Sequence, residues 1–234
     1  MTSALSDYLA SSATVAALLA LEGSYSDPPG IADRSSVEGL RGGSVVLMVA
    51  AFENYLKESI GEVLNRLNTA SPPCQFTKLP IALQAQAVYT GLESAMKAKS
   101  WDPVKDRIRR LPGVLVAVRR IHAGELMADA VANTAGNPSS DQVKAIFKLI
   151  DYPAVFPNSK SAFDKAWGTP TATTFLEDTL NTIVGRRHVV AHTASILSTS
   201  RWDLTEWHRF LNVFVTVLDA ILERHISRVI IRAQ

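Results

Sequence analysis

Hydrophobic residues recur every three or four positions along most of the chain, which is the spacing of one face of an α-helix. Segments that alternate hydrophobic and polar residues, as half-buried strands do, are nearly absent. The pattern therefore predicts an all-α fold. The residues on such a face form a hydrophobic stripe along the helix. Two of these stripes are long enough for the helices of a bundle. The first begins at Ser35 and ends near Asn68, and the second begins at Leu204 and runs nearly to the C-terminus.

Several shorter helices are predicted between these two. Stretches rich in Pro, Gly and Ser interrupt the periodicity near residues 70–80, 99–103, 135–140 and 152–161. Capping-box pairs, in which a Ser or Thr is followed three residues later by Glu or Gln, predict where helices begin. These pairs are Ser35 with Glu38, Ser139 with Gln142, and Thr174 with Glu177. The last pair predicts a helix that begins near Ala172, with a hydrophobic stripe formed by Phe175, Leu176, Leu180, Ile183 and Val184.

The chain shows no internal repeat and no linker long or polar enough to separate domains. We therefore predict an antiparallel helical bundle with two long helices and several shorter ones. It forms a single domain over residues 1–234, with its core over roughly 36–230 and an N-terminal helix over 3–23 packed on it.

Composition sets limits on the classes of function. With 234 residues, of which 47% are hydrophobic, the chain can bury a sizeable core. Its 24 Lys and Arg nearly balance its 22 Asp and Glu, so any nucleic-acid surface must come from local clustering of charge. The single cysteine, Cys74, excludes an internal disulfide and a cysteine-rich zinc site, and no basic neighbour activates its thiol.

Two apolar segments are interpreted as core helices. "TVAALLAL" is short and follows Asp7 instead of a basic region, and "SVVLMVAAF" is followed directly by Glu53 and Lys57. We therefore expect a cytoplasmic protein without a membrane partner.

The segment "GRRHVVAHTA", residues 185–194, holds two arginines and two of the five histidines. In one interpretation these groups only complement the dipole at the C-terminal end of a helix. In a second, His188 and His192 have the i, i+4 spacing with which a helix presents two imidazoles to a metal. That pair encloses no Glu, and no third ligand follows nearby.

In a third interpretation, Arg187 and His192 act together on phosphate. Arginine is a permanent cation suited to phosphate oxygens, and histidine exchanges a proton near neutral pH. These groups suit cleavage of RNA, where a neighbouring 2′-OH is the nucleophile and no metal is required. One imidazole is needed as base and another as acid, and a two-fold dimer would supply both.

The pattern from Arg187 to His192 resembles the motif of the HEPN superfamily of all-helical ribonucleases, in which arginine, a polar residue and three further residues precede histidine. Other segments resemble helices of the RiboL-PSP-type branch. The early helix is similar to "LMVAAFENYLKESIGEVL", the middle helix to "NPSSDQVKAIFKLI", and the closing helix to "WDLTEWHRFLNVFVTVLDAILERHI". The resemblance covers residues 36 to 230, approximately.

This resemblance implies a homodimer that cleaves RNA without a metal or other cofactor, with Arg187 and His192 of both protomers meeting at the two-fold axis. Such proteins commonly act as toxins or phage-defence effectors. It also implies that Glu53 orients an imidazole or holds the arginine, although an ordinary salt bridge is the alternative. His188 occupies the polar position after the arginine, usually Asn or Asp, and would position Arg187 or the substrate. The competing hypothesis is a non-catalytic HEPN module that serves as a partner or RNA-binding scaffold.

One departure from the family concerns regulation. HEPN toxins that are silenced by nucleotidyltransferase antitoxins carry a tyrosine two residues after the motif histidine, and this chain has Ala194 there. We therefore do not expect control by that modification, and the antitoxin or regulatory partner is left open.

Other candidates outside the motif have structural interpretations. A basic cluster forms either a phosphate-tracking surface for RNA or a solvated helix face. Its members are Lys105, Arg107, Arg109, Arg110, Arg119 and Arg120. His122, His208 and His225 are interpreted as structural, and Trp207 as a core or dimer contact.

Overall fold

The computed structural model describes residues 2–96, 109, 111–126, 137–193 and 199–234. In these ranges the chain forms eight α-helices and one 3₁₀ turn, without a strand, which confirms the predicted all-α fold. The helices are α1 (Ser3–Glu22), α2 (Arg34–Asn68), α3 (Ile81–Met96), α4 (Leu111–His122), α5 (Ser140–Leu149), α6 (Val155–Trp167), α7 (Phe175–Thr193) and α8 (Arg201–Ala233), and the 3₁₀ turn is Phe76–Lys78. The two long predicted helices are α2 and α8.

The predicted capping box at the start of α2 is wrong. The N–H of Val37 donates to the carbonyl oxygen of Asp33 (2.9 Å), so helical hydrogen bonding begins before Ser35. Ser35 therefore lies inside the first turn. Glu38 instead pairs with Arg34 one turn earlier, at 3.4 Å between Oε1 and Nε.

The predicted cap of α5 is confirmed, because the N–H of Gln142 donates to Ser139 Oγ at 3.4 Å. Helix α7 begins at Phe175, three residues later than predicted. The carbonyl oxygen of Thr174 accepts from the N–H of Asp178, whereas the Glu177 side chain pairs with Lys144 of α5.

The start of α8 has a capping box that the sequence interpretation missed. The N–H of Asp203 donates to Ser200 Oγ (3.1 Å), and the N–H of Ser200 donates to Asp203 Oδ2 (2.9 Å). This reciprocal pair satisfies two donors near the helix N-terminus and sets the start at Arg201, three residues before Leu204.

The contacts divide the chain into two compact units. Unit 1 comprises Met1–Ser59, Thr134–Lys144 and Ala154–Leu222, and unit 2 comprises Ile60–Asn133, Ala145–Pro153 and Glu223–Gln234. Each unit therefore draws on several separate stretches of the sequence. The single-domain organisation over residues 1–234 stays a prediction.

Unit 1 is built around a continuous set of aromatic rings. Phe214 of α8 lies 6.1 Å from Phe52 of α2 and 5.6 Å from Phe156 of α6, between ring centroids. Val45 of α2 packs with Leu204 of α8, so α2 and α8 run in the same direction within this unit.

Helix α7 runs in the opposite direction to α8. Phe175, its first residue, lies 5.9 Å from Phe210 between ring centroids, whereas Val190, near its end, packs against the cluster that contains Leu204. Residues later in α7 therefore contact residues earlier in α8.

The predicted N-terminal helix is observed as α1, and polar side chains join it to α8. Tyr8 Oη and Ser12 Oγ donate to Asn212 Oδ1 at 3.1 and 2.6 Å. Ser12 Oγ also lies 2.7 Å from His208 Nε2. By length and composition α1 would be able to cross a membrane, with a mean hydropathy of 1.4 and 28% of that window buried. A single such helix is weak evidence, because core helices and signal sequences have the same properties.

A buried ion cluster holds the C-terminal end of α1. Glu22 is fully buried, and its carboxylate lies 2.6 Å from both Arg41 and Arg201. Arg41 also donates to the carbonyl oxygen of Thr199 at 3.0 Å, two residues before α8 begins. The cluster therefore connects α1, α2 and the segment that leads into α8.

Unit 2 contains the end of α2, α3, α4, the end of α5 and the end of α8. Backbone atoms of Leu126 make two 2.9 Å hydrogen bonds with the side chain of Asn68. The N–H of Gln75 donates to the carbonyl oxygen of Ala233 at 2.7 Å, so the chain before the 3₁₀ turn is fastened to the last turn of α8.

Candidate active site

Helix α7 carries the predicted Arg-His motif on its last two turns. Its preceding turns are held by the predicted hydrophobic stripe, in which Leu176, Leu180, Ile183 and Val184 are buried. Burial decreases after Val184. The residues that follow, including the motif, are half-buried or exposed, so the helix is anchored in the core at one end and presents its polar groups at the other.

Val190 fastens the motif turns to the rest of unit 1. It is partly buried against the cluster of Val45 and Leu204. A Cβ added to Gly42 of α2 would lie 3.3 Å from Val190 Cγ1, so the absence of a side chain at Gly42 permits this close approach. From the sequence alone, Gly42 is expected only to weaken the first turns of α2. The sequence signal that could have indicated this close contact is a glycine in the interior of a long predicted helix.

His188 and His192 lie together on the exposed side of α7. Both side chains are exposed, and their ring centroids are 4.4 Å apart with an interplanar angle of 58°. The i, i+4 spacing predicted this proximity. Both imidazoles are therefore accessible to a ligand from solvent or to a second protein chain.

Arg187 lies on a different side of the helix from His192. Five positions correspond to a rotation of about 140° and a rise of about 7.5 Å. Arg187 is accordingly half-buried in line with Ile183, whereas His192 is exposed. These two residues of one protomer do not share a single helix face.

Glu53 lies on α2 in the same unit, with only 13% of its side chain exposed. Its Oε1 is 2.7 Å from the Nζ of Lys57 one turn later, which is the salt bridge offered as the alternative role. Participation of Glu53 in the chemistry stays a prediction.

Apolar side chains are exposed in the same unit as the motif. Val189, within the motif, is 41% exposed, and Leu47 of α2, one turn beyond Gly43, is 40% exposed. Both side chains would lose exposed apolar area on contact with a second protein chain.

No cluster of three or more His, Cys, Asp or Glu side chains suited to a metal occurs among the described residues. The two exposed imidazoles of α7 therefore lack a third protein ligand of these types within that part of the chain.

The remaining histidines and Trp207 occupy different environments. His208 bonds with Ser12, and burial lowers the pKa of His208 below its usual value. His225 Nε2 lies 2.6 Å from the carbonyl oxygen of Ile150 within unit 2. Trp207 is partly buried against the Val45 and Leu204 cluster, which confirms a core contact, and His122 is exposed at the end of α4.

Some sequence candidates lie outside the described residues. They are Lys105, Arg107, Arg110 and Ala194. Of the predicted basic cluster, Arg119 and Arg120 are exposed on the last turn of α4, and Arg109 is described as a helical residue.

No curated protein and no solved structure gives a significant match to the chain. The family model of the RiboL-PSP-HEPN domain matches residues 15–224, which include α2, α7 with its motif, and most of α8. The chain therefore belongs to the RiboL-PSP-HEPN family.

Proposed function

We propose that this protein is a metal-independent endoribonuclease whose active site is formed by two copies of the chain. The observation that carries the proposal is the position of the motif: α7 is anchored by Val190, while His188 and His192 remain exposed at its end. Membership of the HEPN family supports an RNA-related role.

In the proposed reaction, His192 of one protomer removes the proton from the ribose 2′-OH. The 2′ oxygen then attacks the adjacent phosphorus, and the bond from phosphorus to the 5′ oxygen breaks. The second protomer's copy of His192 donates a proton to the departing 5′ oxygen. The products are a 2′,3′-cyclic phosphate on the upstream fragment and a free 5′-OH on the downstream fragment.

Arg187 from both protomers would bind the non-bridging phosphate oxygens. A guanidinium remains charged throughout and forms paired hydrogen bonds, so it stabilises the charge that develops in the transition state. His188 would orient Arg187 or the substrate without transferring a proton.

Two copies are required because one protomer supplies one transferring imidazole. A two-fold axis near the end of α7 would place a base and an acid on opposite sides of one phosphate. The exposed Val189 and Leu47 supply apolar area for that contact. In the cell, we propose a cytoplasmic toxin or phage-defence effector restrained by a regulatory protein partner.

Subunit mixing tests the composite site directly. Wild-type protein is mixed with increasing fractions of the inactive His192→Ala variant, subunits are allowed to exchange, and RNA cleavage is measured. If both copies of His192 are needed, activity falls as the square of the wild-type fraction. A linear decrease, or an active monomer by light scattering, would contradict the two-copy site.

The chemical product is a second readout. RNA with a single 2′-deoxy substitution at the scissile position should resist cleavage, and EDTA should leave the rate unchanged. Lys165→Ala, an exposed substitution on α6, is the control for general effects of lost charge. If expression slows growth equally for wild type, Arg187→Ala and His192→Ala, the scaffold hypothesis is favoured instead.

A further inference from the structure

The two units carry opposite net charge. Unit 1, which contains the motif, has 10 Lys and Arg against 14 Asp and Glu, whereas unit 2 has 14 against 8. Unit 2 is therefore strongly basic, although the net charge of the whole chain is small. A polyanion such as RNA is repelled by the average charge of unit 1 and attracted by that of unit 2.

Five of the nine described basic residues of unit 2 lie at or near the ends of three elements. Lys78 closes the 3₁₀ turn, Arg119 and Arg120 lie on the last turn of α4, and Arg232 lies on the last turn of α8. Arg228 precedes Arg232 by one turn.

Hydrogen bonds and a close packing contact hold these ends together. The N–H of Gln75 donates to the carbonyl oxygen of Ala233, and Lys78 Nζ donates to the carbonyl oxygen of Gln234 at 3.2 Å. Gly124, just after α4, has a positive φ of 76°, and a Cβ there would lie 3.1 Å from Phe76 Cβ. The 3₁₀ turn therefore contacts both the end of α8 and the end of α4.

Most of these cations are available to a ligand. Arg119, Arg228 and Arg232 are exposed and have no ion-pair partner among the described residues, whereas Lys78, which is also exposed, donates to the oxygen of Gln234. Arg120 makes only a long contact, 3.8 Å, with Glu125. Basic residues near helix C-termini complement the negative end of the helix dipole. That end corresponds to only about half a negative charge, so the dipoles do not neutralise the positive charge of this cluster.

An apolar groove of about 520 Å³ adjoins the basic cluster at Phe76. Its other lining residues lie on α3 and include Ile81, Val88 and Tyr89, whose side chain is 63% exposed. Aromatic rings next to cations are the combination with which proteins bind single-stranded nucleic acid, by stacking bases and neutralising phosphates.

We propose that this surface of unit 2, formed by Lys78, Arg119, Arg120, Arg228 and Arg232 with Tyr89 in the adjoining groove, binds the backbone of single-stranded RNA. The inference extends the proposed ribonuclease function, because it identifies a substrate-holding surface separate from the Arg-His motif. The exposed cations neutralise phosphates, and the exposed ring of Tyr89 accepts an unpaired base.

Binding is tested without cleavage, so that failure of the proposed ribonuclease activity does not affect the result. The probe is a fluorescent 20-nucleotide RNA with 2′-O-methyl groups throughout, measured by anisotropy over a range of salt concentrations. The double variant Arg228→Glu/Arg232→Glu should bind at least tenfold more weakly than wild type. Its plot of log affinity against log salt should be less steep by about 0.7 for each phosphate contact removed.

The matched control is Lys165→Glu/Arg34→Glu, which reverses two exposed cations of unit 1 and should change affinity less than twofold. Tyr89→Leu, which keeps an apolar side chain and removes the ring, should weaken RNA binding several-fold if the base stacks there. Circular dichroism confirms that every variant is folded.

Equal loss of affinity in the double variant and the control would overturn the proposal, as would unchanged binding in the double variant. A duplex of the same length that binds as tightly as the single strand would overturn the assignment to single strands. Tighter binding of polyglutamate than of RNA would overturn it in favour of an acidic protein partner.

Discussion

The imidazole rings of His188 and His192 lie 4.4 Å apart, between centroids, on the exposed side of α7. This proximity fits both a shared metal and a division of roles, in which only His192 transfers a proton. If the two residues share a metal, both are ligands and both are essential. If His192 transfers a proton, His188 only positions its neighbours and a polar substitute can replace it.

His188→Asn should therefore retain substantial ribonuclease activity, because Asn keeps a polar hydrogen-bonding group at this position. His192→Asn should lose activity by a factor of 100 or more, roughly the contribution of a general acid or base. Cleavage rates are compared with and without EDTA. Equal loss in both variants, with recovery on addition of zinc or manganese, would establish the metal site instead.

Gly42→Ala should lower activity, because the new methyl group would lie 3.3 Å from Val190 Cγ1 and displace the motif turns of α7. Gly43→Ala is the matched control, since nothing lies within 4 Å of its added Cβ. The control should stabilise the protein by about 0.5–1 kcal/mol, because Ala is a better helix former than Gly. Thermal unfolding and cleavage rate are measured for both. Identical behaviour of the two variants would show that the contact between Gly42 and Val190 does not position the motif.

Glu22→Gln should lower the free energy of unfolding by about 3–5 kcal/mol, because it leaves Arg41 and Arg201 without the buried carboxylate that pairs with both. Glu38→Gln removes a more exposed carboxylate that pairs with Arg34 at 3.4 Å, and should cost less than about 1 kcal/mol. Urea unfolding of both variants measures the difference. A cost at Glu22 no larger than at Glu38 would mean that the cluster does not hold α1 in place.

Stability should fall at mildly acidic pH through His208. Burial lowers the pKa of His208, so the unfolded chain binds this proton more readily than the folded protein. Protonation therefore favours unfolding, and the free energy of unfolding should decrease as the pH falls below about 6.5.

The His208→Gln variant isolates this effect from the other titrating groups. Gln still forms hydrogen bonds with Ser12 but does not titrate, so its free energy of unfolding should depend less on pH between 5.5 and 7.5. Urea unfolding across this range makes the comparison. A wild-type curve parallel to that of the variant would contradict the assignment.

The Arg-His motif shows which features of the candidate site can be predicted from the local sequence pattern. The spacing of His188 and His192 placed them on one helix face, because the α-helix has 3.6 residues per turn regardless of its surroundings. The stripe from Leu176 to Val184 predicted which face would be buried for the same reason. Start positions were less accurate. At α2, the hydrogen bond from Val37 to Asp33 began the helix before the expected cap at Ser35.

By itself, the sequence determined the all-helical fold, the two long helices and the residues of the motif, since each depends on periodicity or on neighbours along the chain. Only the tertiary structure decided which parts of the chain meet. Val190 packs where Gly42 lacks a side chain, Glu22 is buried between Arg41 and Arg201, and the 3₁₀ turn joins the ends of α4 and α8. These contacts depend on the packing of helices far apart in sequence, and their energies come from burial and charge pairing that no local spacing encodes.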